Sequence, residues 1–311
     1  MPHSSRAIVF AYHNVGVRCL SVLLAHGVKV PLIVTHTDNP DENIWFGSVA
    51  KLAAEHDIPV ITPDDPNAPE IVEKIHALQP DFLFSFYYRN MLKAPLLVIP
   101  KRGALNMHGS LLPKYRGRVP VNWAIIKGET ETGATLHYMT EKPDNGAIVE
   151  QQAVPILPDD TAIEVFHKVT CAAEIALNRC LPALIAGTIT AIPQDLSQGA
   201  YFGGRRAEDG KIDWSCDART IHNLVRAVAP PYPGAYTTLA GKPMRILKSR
   251  VETGAAHRSV HPALYCENGH YYADCAGGGV LQVLSFELDG KMISPSEFIS
   301  HHGTEPLPLG D

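Results

Sequence analysis

A chain of 311 residues can bury one large core or two medium ones, and 45% hydrophobic with 19% charged residues describes a globular protein. Its six cysteines, Cys19, Cys171, Cys180, Cys216, Cys266 and Cys275, show no CxxC spacing, which fits reduced thiols better than a disulfide framework or a zinc site. A net charge of −5 argues against a large polyanion, so no nucleic-acid partner is expected, although a small anionic substrate needs only a few local cations. No uninterrupted apolar run reaches the roughly 18–20 residues of a membrane helix, so no membrane insertion is expected. MPHSSRAIVFAY goes almost directly into a strand without a long apolar signal segment, and the expected location is the cytoplasm.

Taken in order, residues 6–12, RAIVFAY, form a short apolar run with the character of a buried strand. GVRCLSVLLAHG follows with apolar residues at helical spacing, and Gly27 is placed to end that helix. KVPLIVTHT reads as a second buried strand, WFGSVAKLAAEHDI as a helix, PVITP as a short strand and APEIVEKIHALQP as another amphipathic helix. DFLFSFYY and, after MLKAPLLVIP, GALNMHGS continue the series as strands. Strands alternating with helices predict a parallel, doubly wound α/β sheet. The connection after the first strand, AYHNVG, lacks GxGxxG, which counts against a dinucleotide held in the usual way.

From about residue 133 the texture changes. GATLHYMT and GAIVEQQAVPI read as two strands around the loop EKPDN. TAIEVFHKVTCAAEIALNRCLPALIAG reads as a long helix, broken or ended near Pro182. Beyond about 205 the chain is β-rich and punctuated by glycine and proline, the pattern of an antiparallel barrel or sandwich. The boundary is expected near 190–212, giving a catalytic domain over 1–204 and a β-rich domain over 205–311. The tail HHGTEPLPLGD is expected to be exposed and partly mobile.

Asn106 and His108 are separated by one residue, so on a strand they point to the same face. They would stand at the carboxyl end of a parallel strand, where open α/β sheets place their ligands. An amide N–H beside a protonated imidazole can hydrogen-bond the oxyanion that forms when a nucleophile attacks a carbonyl carbon. An Asn-x-His pair alone is more often structural, and the following GSLLPKYRGR reads equally as a turn-rich loop. The third element is EKPDNGAIV, residues 141–149, where Asp144 lies in a rigid turn between two strands. A carboxylate held near His108 is expected to raise its pKa and fix its tautomer.

Asn-x-His, then Ser-Leu-Leu-Pro-x-Tyr-Arg-Gly, then Asp-x-Gly about 36 residues on, resembles the folate-dependent formyltransferases in order and spacing together. FAYHNVG, THTDNP, GSVAKLAAEHDIPV, FSFYYRNML, GRRAEDGKIDW and IHNLVRAVAPPYPGAY are similar to the branch acting on UDP-4-amino-4-deoxy-L-arabinose. The likeness covers roughly residues 6–250 and fades in the last 60. It implies a Rossmann-like doubly wound parallel sheet followed by a smaller OB-like barrel. It implies 10-formyltetrahydrofolate as co-substrate, no metal, and formyl transfer to the free 4-amine of a nucleotide-linked amino sugar in lipid A modification and polymyxin resistance. Asn106 and His108 would stabilise the tetrahedral oxyanion, His108 would relay a proton to the folate leaving nitrogen, and Asp144 would keep His108 basic. Folate contacts in the family are largely main-chain. By position they carry over to Asn90, Met91 and Leu92, to Arg118, and to Thr140, Glu141, Lys142, Pro143 and Asp144. Enzymes of that branch continue into an NAD-dependent decarboxylating domain beyond the 311 residues here, so another polypeptide performs the preceding oxidation or this sequence is part of a longer one.

Arg205, Arg206 and Arg226, with Tyr232, are candidates for the diphosphate and uracil, since a guanidinium fork suits phosphate oxygens. The alternative is surface salt bridges and a hinge. Fifteen histidines invite a metal hypothesis, but His13, His36, His108 and His137 show no ligand spacing such as HExxH and read as scattered or internally satisfied. FSFYY at 84–88 could form an aromatic platform, although a half-buried strand is the commoner meaning. Two other activities share the Asn, His and Asp set. Methionyl-tRNA formyltransferase needs a basic C-terminal domain, and residues 205–311 are not conspicuously basic; a formyltetrahydrofolate deformylase uses water as acceptor.

Overall fold

The computed structural model describes residues 5–310. The chain divides into two compact units, the first being Met1–Pro120, Glu131–Pro155 and Phe166–Gly203, the second Val121–Thr130, Ile156–Val165 and Gly204–Asp311. The second unit thus takes two short segments that a single boundary at 204/205 gives to the first.

The first unit begins β1 (Arg6–Ala11), α1 (His13–Ala25), β2 (Lys29–Val34), α2 (Val49–Glu55), β3 (Val60–Ile61) and α3 (Pro69–Ala77). It continues β4 (Phe82–Phe86), α4 (Ala94–Leu97), β5 (Ala104–His108), β6 (Arg116–Gly117), α5 (Pro120–Ile126), β7 (Glu131–Tyr138), β8 (Ile148–Pro155), α6 (Ala162–Ala186) and β9 (Tyr201–Phe202). Helices α5 and α6 each run across the division between units. The main sheet has the order β3-β2-β1-β4-β5-β7-β8. Its first five strands are parallel, and β7 and β8 extend it antiparallel. The order reverses at β1 and β4, which opens a crevice at their carboxyl ends. Every residue of β4 is buried, as a strand covered on both faces requires.

Local chemistry explains most element ends. Gly27 follows α1 at φ 71, and Val28 N–H closes back on the Leu23 carbonyl at 3.0 Å, so the helix stops where glycine permits the left-handed turn. α2 starts at Val49 rather than at Trp45, because Ser48 caps it by accepting the Lys51 N–H at 3.2 Å. Trp45 and Phe46 pack instead around His13. Pro182 does not end α6, which runs on to Ala186. Leu181 and Leu184 are buried on either side of it, and that packing outweighs one missing ladder bond. α6 is also the one helix among the described residues long and apolar enough to cross a membrane, yet half of its apolar stretch is buried inside the protein. Its charges are engaged with the same unit, Glu174 with Arg18 at 2.6 Å and Arg179 with Glu150 at 2.9 Å.

The second unit holds α7 (Ala218–Ala227), β10 (Ala235–Leu239), β11 (Lys242–Glu252), β12 (Ala263–Glu267), β13 (His270–Asp274), β14 (Val280–Leu288), β15 (Lys291–Met292), α8 (Pro295–His302) and β16 (Leu307–Pro308). Its antiparallel sheet has the order β10-β11-β14-β13-β12-β16. Three tight turns, at Ala240-Gly241, Asn268-Gly269 and Asp289-Gly290, have both central residues at positive φ. That backbone matches the twist of hairpin strands. A bridge between Leu239 and Leu309 brings β10 to the end of β16 and nearly closes a barrel. Residues 307–309 of the tail thus pair with two strand edges, while most of 301–306 is exposed as expected. Trp214, Ile221, Val225, Ile246, Leu281 and Phe286 are among the side chains filling the interior.

Candidate active site

β5 pairs with β4 on one side and β7 on the other, and this register sets the site. Asn106 lies opposite Ser85 and opposite His137, and His108 lies opposite Thr135. Asn106 Nδ2 stands 3.2 Å from His137 Nε2. His137 Nδ1 is 2.8 Å from the Tyr138 carbonyl, which requires a hydrogen on Nδ1 and leaves Nε2 to accept from the Asn106 amide. His108 Nε2 is 2.8 Å from the Tyr115 carbonyl, so the neutral ring carries its hydrogen on Nε2. Nδ1 is thereby left as a lone pair.

That lone pair points at Asp144. His108 Nδ1 is 3.5 Å from Asp144 Oδ1, and His137 Nε2 is 3.5 Å from the same oxygen. The other oxygen, Oδ2, accepts the Gly117 N–H at 2.8 Å. One carboxylate thus stands between two buried imidazoles at the edge of the sheet.

Burial and charge oppose each other here, and the winner differs from residue to residue. Burial alone would raise the Asp144 carboxyl, but the positive charge that His108 and His137 carry once protonated in acid, together with the Gly117 N–H, holds it down to about 2. It is ionised at neutral pH. For His108, burial lowers the pKa more than Asp144 and the Tyr115 carbonyl raise it. Asp144 raises the His108 pKa, as expected of a carboxylate at that place, but the net shift is downward, because a ring 7% exposed at its side chain loses more hydration than one carboxylate returns. At pH 7 the pair is a neutral imidazole facing an anion.

Asn90, Met91 and Leu92 follow the carboxyl end of β4. Asn90 Nδ2 reaches the Asp64 carbonyl at 3.4 Å, and the Met91 carbonyl accepts from Asn67 at 2.9 Å. The Leu92 side chain is in the core, so only its main chain can face a ligand. In the other segment Thr140 Oγ1 closes on the Lys142 carbonyl at 2.8 Å, Glu141 and Lys142 are exposed, and Pro143 leads into the Asp144 turn. Arg118 is exposed, with its N–H on the Phe202 carbonyl at 2.9 Å. Its neighbour Arg116 is the arginine tied to the Asp144 turn, through Asn145 Oδ1 at 2.9 Å.

The second unit holds the remaining candidates. Arg205 lies over the Trp123 ring at 4.9 Å and donates to the Asp209 carbonyl at 2.7 Å, while the Arg206 N–H donates to the carboxylate of Asp209 in a local cap at 2.7 Å. Arg226 is 6% exposed and donates to Asn223 and to the carbonyls of Leu157 and Asp160. It ties segments of its own unit together, which corrects its assignment to a diphosphate. Tyr232 is half-buried against the barrel core, and burial raises its phenol.

Sequence reading missed His137, Arg116 and Gln194. His137 could have been found from the hairpin register, since a residue opposite Asn106 must share its face. Gln194 carried no comparable signal.

A Rossmann-like parallel sheet, extended by an antiparallel hairpin, thus carries an amide, two imidazoles and a carboxylate at one edge. The chain belongs to the formyl transferase family: the family's formyl transferase model matches residues 22–181 and its C-terminal domain model residues 205–303. Among solved structures it is similar to an N-formyltransferase from Helicobacter canadensis in complex with folinic acid and dTDP-3-aminofucose. That pair has a TM-score of 0.71 and 21% identity over 90% of this chain and 98% of the other. WlaRD, a sugar 3N-formyl transferase in the presence of dTDP and 5-N-formyl-THF, gives a TM-score of 0.71 and 20% identity over 93% and 99%. HypX from Aquifex aeolicus in complex with tetrahydrofolic acid gives 0.62 and 16% over 96% and 47%. At such identities the likeness is one of fold.

Proposed function

We propose that this protein transfers the formyl group of 10-formyltetrahydrofolate to the amine of a nucleotide-linked amino sugar, with UDP-4-amino-4-deoxy-L-arabinose as the acceptor. The observation that carries the reading is the convergence of Asn106, His108 and Asp144 on one sheet edge. Family membership supports it, as does the structural likeness to enzymes whose complexes hold a formylated folate and a dTDP-linked amino sugar or dTDP.

The residues present suit a formyl donor. They supply a neutral amide donor, a proton-accepting imidazole and a carboxylate, with main-chain segments 90–92 and 140–144 as the folate contacts. When bound, 10-formyltetrahydrofolate supplies an activated formyl carbon for the acceptor amine to attack. Asn106 uses one amide hydrogen on His137 and has a second for the carbonyl oxygen as that oxygen gains charge. His108 takes the proton of the attacking amine on Nδ1, and Asp144 stabilises the resulting imidazolium. His108 then returns this proton to the leaving nitrogen as the carbonyl re-forms. Arg205 remains the candidate for a phosphate of the acceptor. Lipid A modification and antibiotic resistance, in the cytoplasm, are the proposed setting.

Incubation with 10-formyltetrahydrofolate and UDP-4-amino-4-deoxy-L-arabinose should give the formamide and tetrahydrofolate in equal amounts. Formylation of a dTDP-linked amino sugar alone would move the acceptor, and formylation of charged initiator tRNA would replace it. Folate turnover without any amine would replace transfer by hydrolysis.

A further inference from the structure

Asp144 acts from a backbone position uncommon for a residue with a side chain. Its φ is 56, in the left-handed region that favours glycine and that aspartate and asparagine adopt more readily than most. Contacts from outside the turn hold it there. Gly117 N–H anchors the carboxylate at 2.8 Å. Arg116 holds Asn145 Oδ1 at 2.9 Å, and the same guanidinium donates to the carbonyls of Gly199 at 3.0 Å and Leu196 at 3.3 Å. Gln194 spans the turn itself: its Nε2 stands 2.9 Å from the Asp144 carbonyl and 2.7 Å from the Gly146 carbonyl.

An amide nitrogen has two hydrogens, and both are used on this one turn. Gln194 Oε1 is buried with no protein partner, so the two carbonyls alone set which way the amide points. Gly146 leaves no slack in the clamp, because a Cβ there would run into the Tyr138 carbonyl. The tolerance at the other end is equally small. Asp144 Oδ1 stands 3.5 Å from each imidazole, and a shift of about 1 Å would take one ring out of range.

We propose that Gln194 is a positioning residue for formyl transfer, fixing the Asp144 carboxylate between His108 and His137 by bridging the carbonyls of Asp144 and Gly146. This rests on the functional reading given above and adds to it a segment, outside the sheet edge, that touches no reacting atom. Gln194 acts only through Asp144.

Three variants and three readouts, kinetics, ring titrations and thermal unfolding, test it. Gln194→Met keeps the length and loses both donors, Gln194→Asn keeps the amide but falls one methylene short, and Gln194→Lys restores N–H donors at similar reach. Kinetic constants are measured for formyl transfer. The titrations of the His108 and His137 rings are followed by NMR with no substrate present. The groups facing these rings are Asp144, the other ring, the Tyr115 and Tyr138 carbonyls and the Asn106 amide. Gln194→Met and Gln194→Asn should lower kcat by about 10- to 100-fold with KM values within about twofold, and Gln194→Lys should recover most of the loss. In the Met variant the His108 titration should move to lower pH, while thermal unfolding changes little. Unchanged kcat with unchanged ring titrations in the Met and Asn variants overturns the proposal. A loss of kcat that tracks lost stability, with the rings unmoved, overturns it as well. Wild-type protein that transfers no formyl group would overturn the functional reading, and the ring titrations would still decide on Gln194.

Discussion

His108 in the first unit and His222 in the second are both buried histidines with a carbonyl and a carboxylate at the ring. His108 has the Tyr115 carbonyl at 2.8 Å and Asp144 at 3.5 Å. His222 has the Pro158 carbonyl at 3.0 Å and Asp159 at 3.5 Å. Burial lowers the pKa of both. The second nitrogen and the carboxylate separate them. His222 Nδ1 meets the Ser249 hydroxyl at 3.0 Å, while Asp159 is 46% exposed and shared with Arg250 at 3.3 Å. His108 Nδ1 meets an ionised carboxylate that is 11% exposed. A ring satisfied on both sides fastens a loop to α7 and β11. A ring whose free lone pair looks onto a buried anion is set to receive a proton.

The two rings should therefore fail differently. His108→Ala and Asp144→Ala should each lower kcat by about 10²–10⁴, the range of general acid–base groups. His222→Ala should leave kcat within about threefold and lower the unfolding free energy by about 1–3 kcal/mol, read from urea melts. Near-full activity in either of the first two variants would remove the assigned roles. His137→Phe comes next in size. It strips the partner from the Asn106 amide and one of the groups holding Asp144 ionised, and should lower kcat about tenfold. If kcat stays at the wild-type value, His137 is a core histidine and no more.

Much of this was legible in the chain. The alternation of strands and helices over 6–108 gave the sheet, and the Asn106–His108 spacing gave a shared face, because strand periodicity is local. The motif order tied Asp144 to them by family likeness. The sign of the His108 shift was not legible, since it depends on burial by residues far along the chain, which spacing does not report. Arg226 misled for the same reason: a guanidinium looks alike in sequence whether it faces phosphate or the Leu157 and Asp160 carbonyls. Gln194 lies 50 residues from the carbonyl it holds, and nothing local distinguishes it.

Acid should weaken the fold through both kinds of group, and the signs agree. Asp144, depressed to about 2, contributes stability above its unfolded value of about 4, and that contribution is lost as pH falls toward 2. His108, His222 and His13 titrate lower in the folded state, so the unfolded chain binds more protons below about 6.5 and stability falls with pH from there. His13, pushed down to about 3 by burial among Trp45, Phe46, Tyr87 and Phe166, should contribute to the slope. Urea melts between pH 7 and 4 should show a flatter dependence in His13→Asn, a residue that tolerates the φ of 65 found there. An unchanged slope would move the acid sensitivity elsewhere.

The smallest effect separates the two histidine environments most cleanly. Asp217 caps α7, the helix that carries His222, by accepting the Thr220 N–H at 2.7 Å. Asp217→Ala leaves that N–H without its protein acceptor and should cost about 1 kcal/mol, the usual worth of such a cap. Amide exchange should then speed up by about fivefold in α7, since 1 kcal/mol is about that factor at room temperature. Amides of β5 and β7, which carry Asn106, His108 and His137, should keep their protection, and kcat should stay within about twofold. Equal loss of protection in both places would mean that His108 and His222 belong to one cooperative structure, and the contrast between a fastening ring and a proton-accepting ring would then need a test other than mutation.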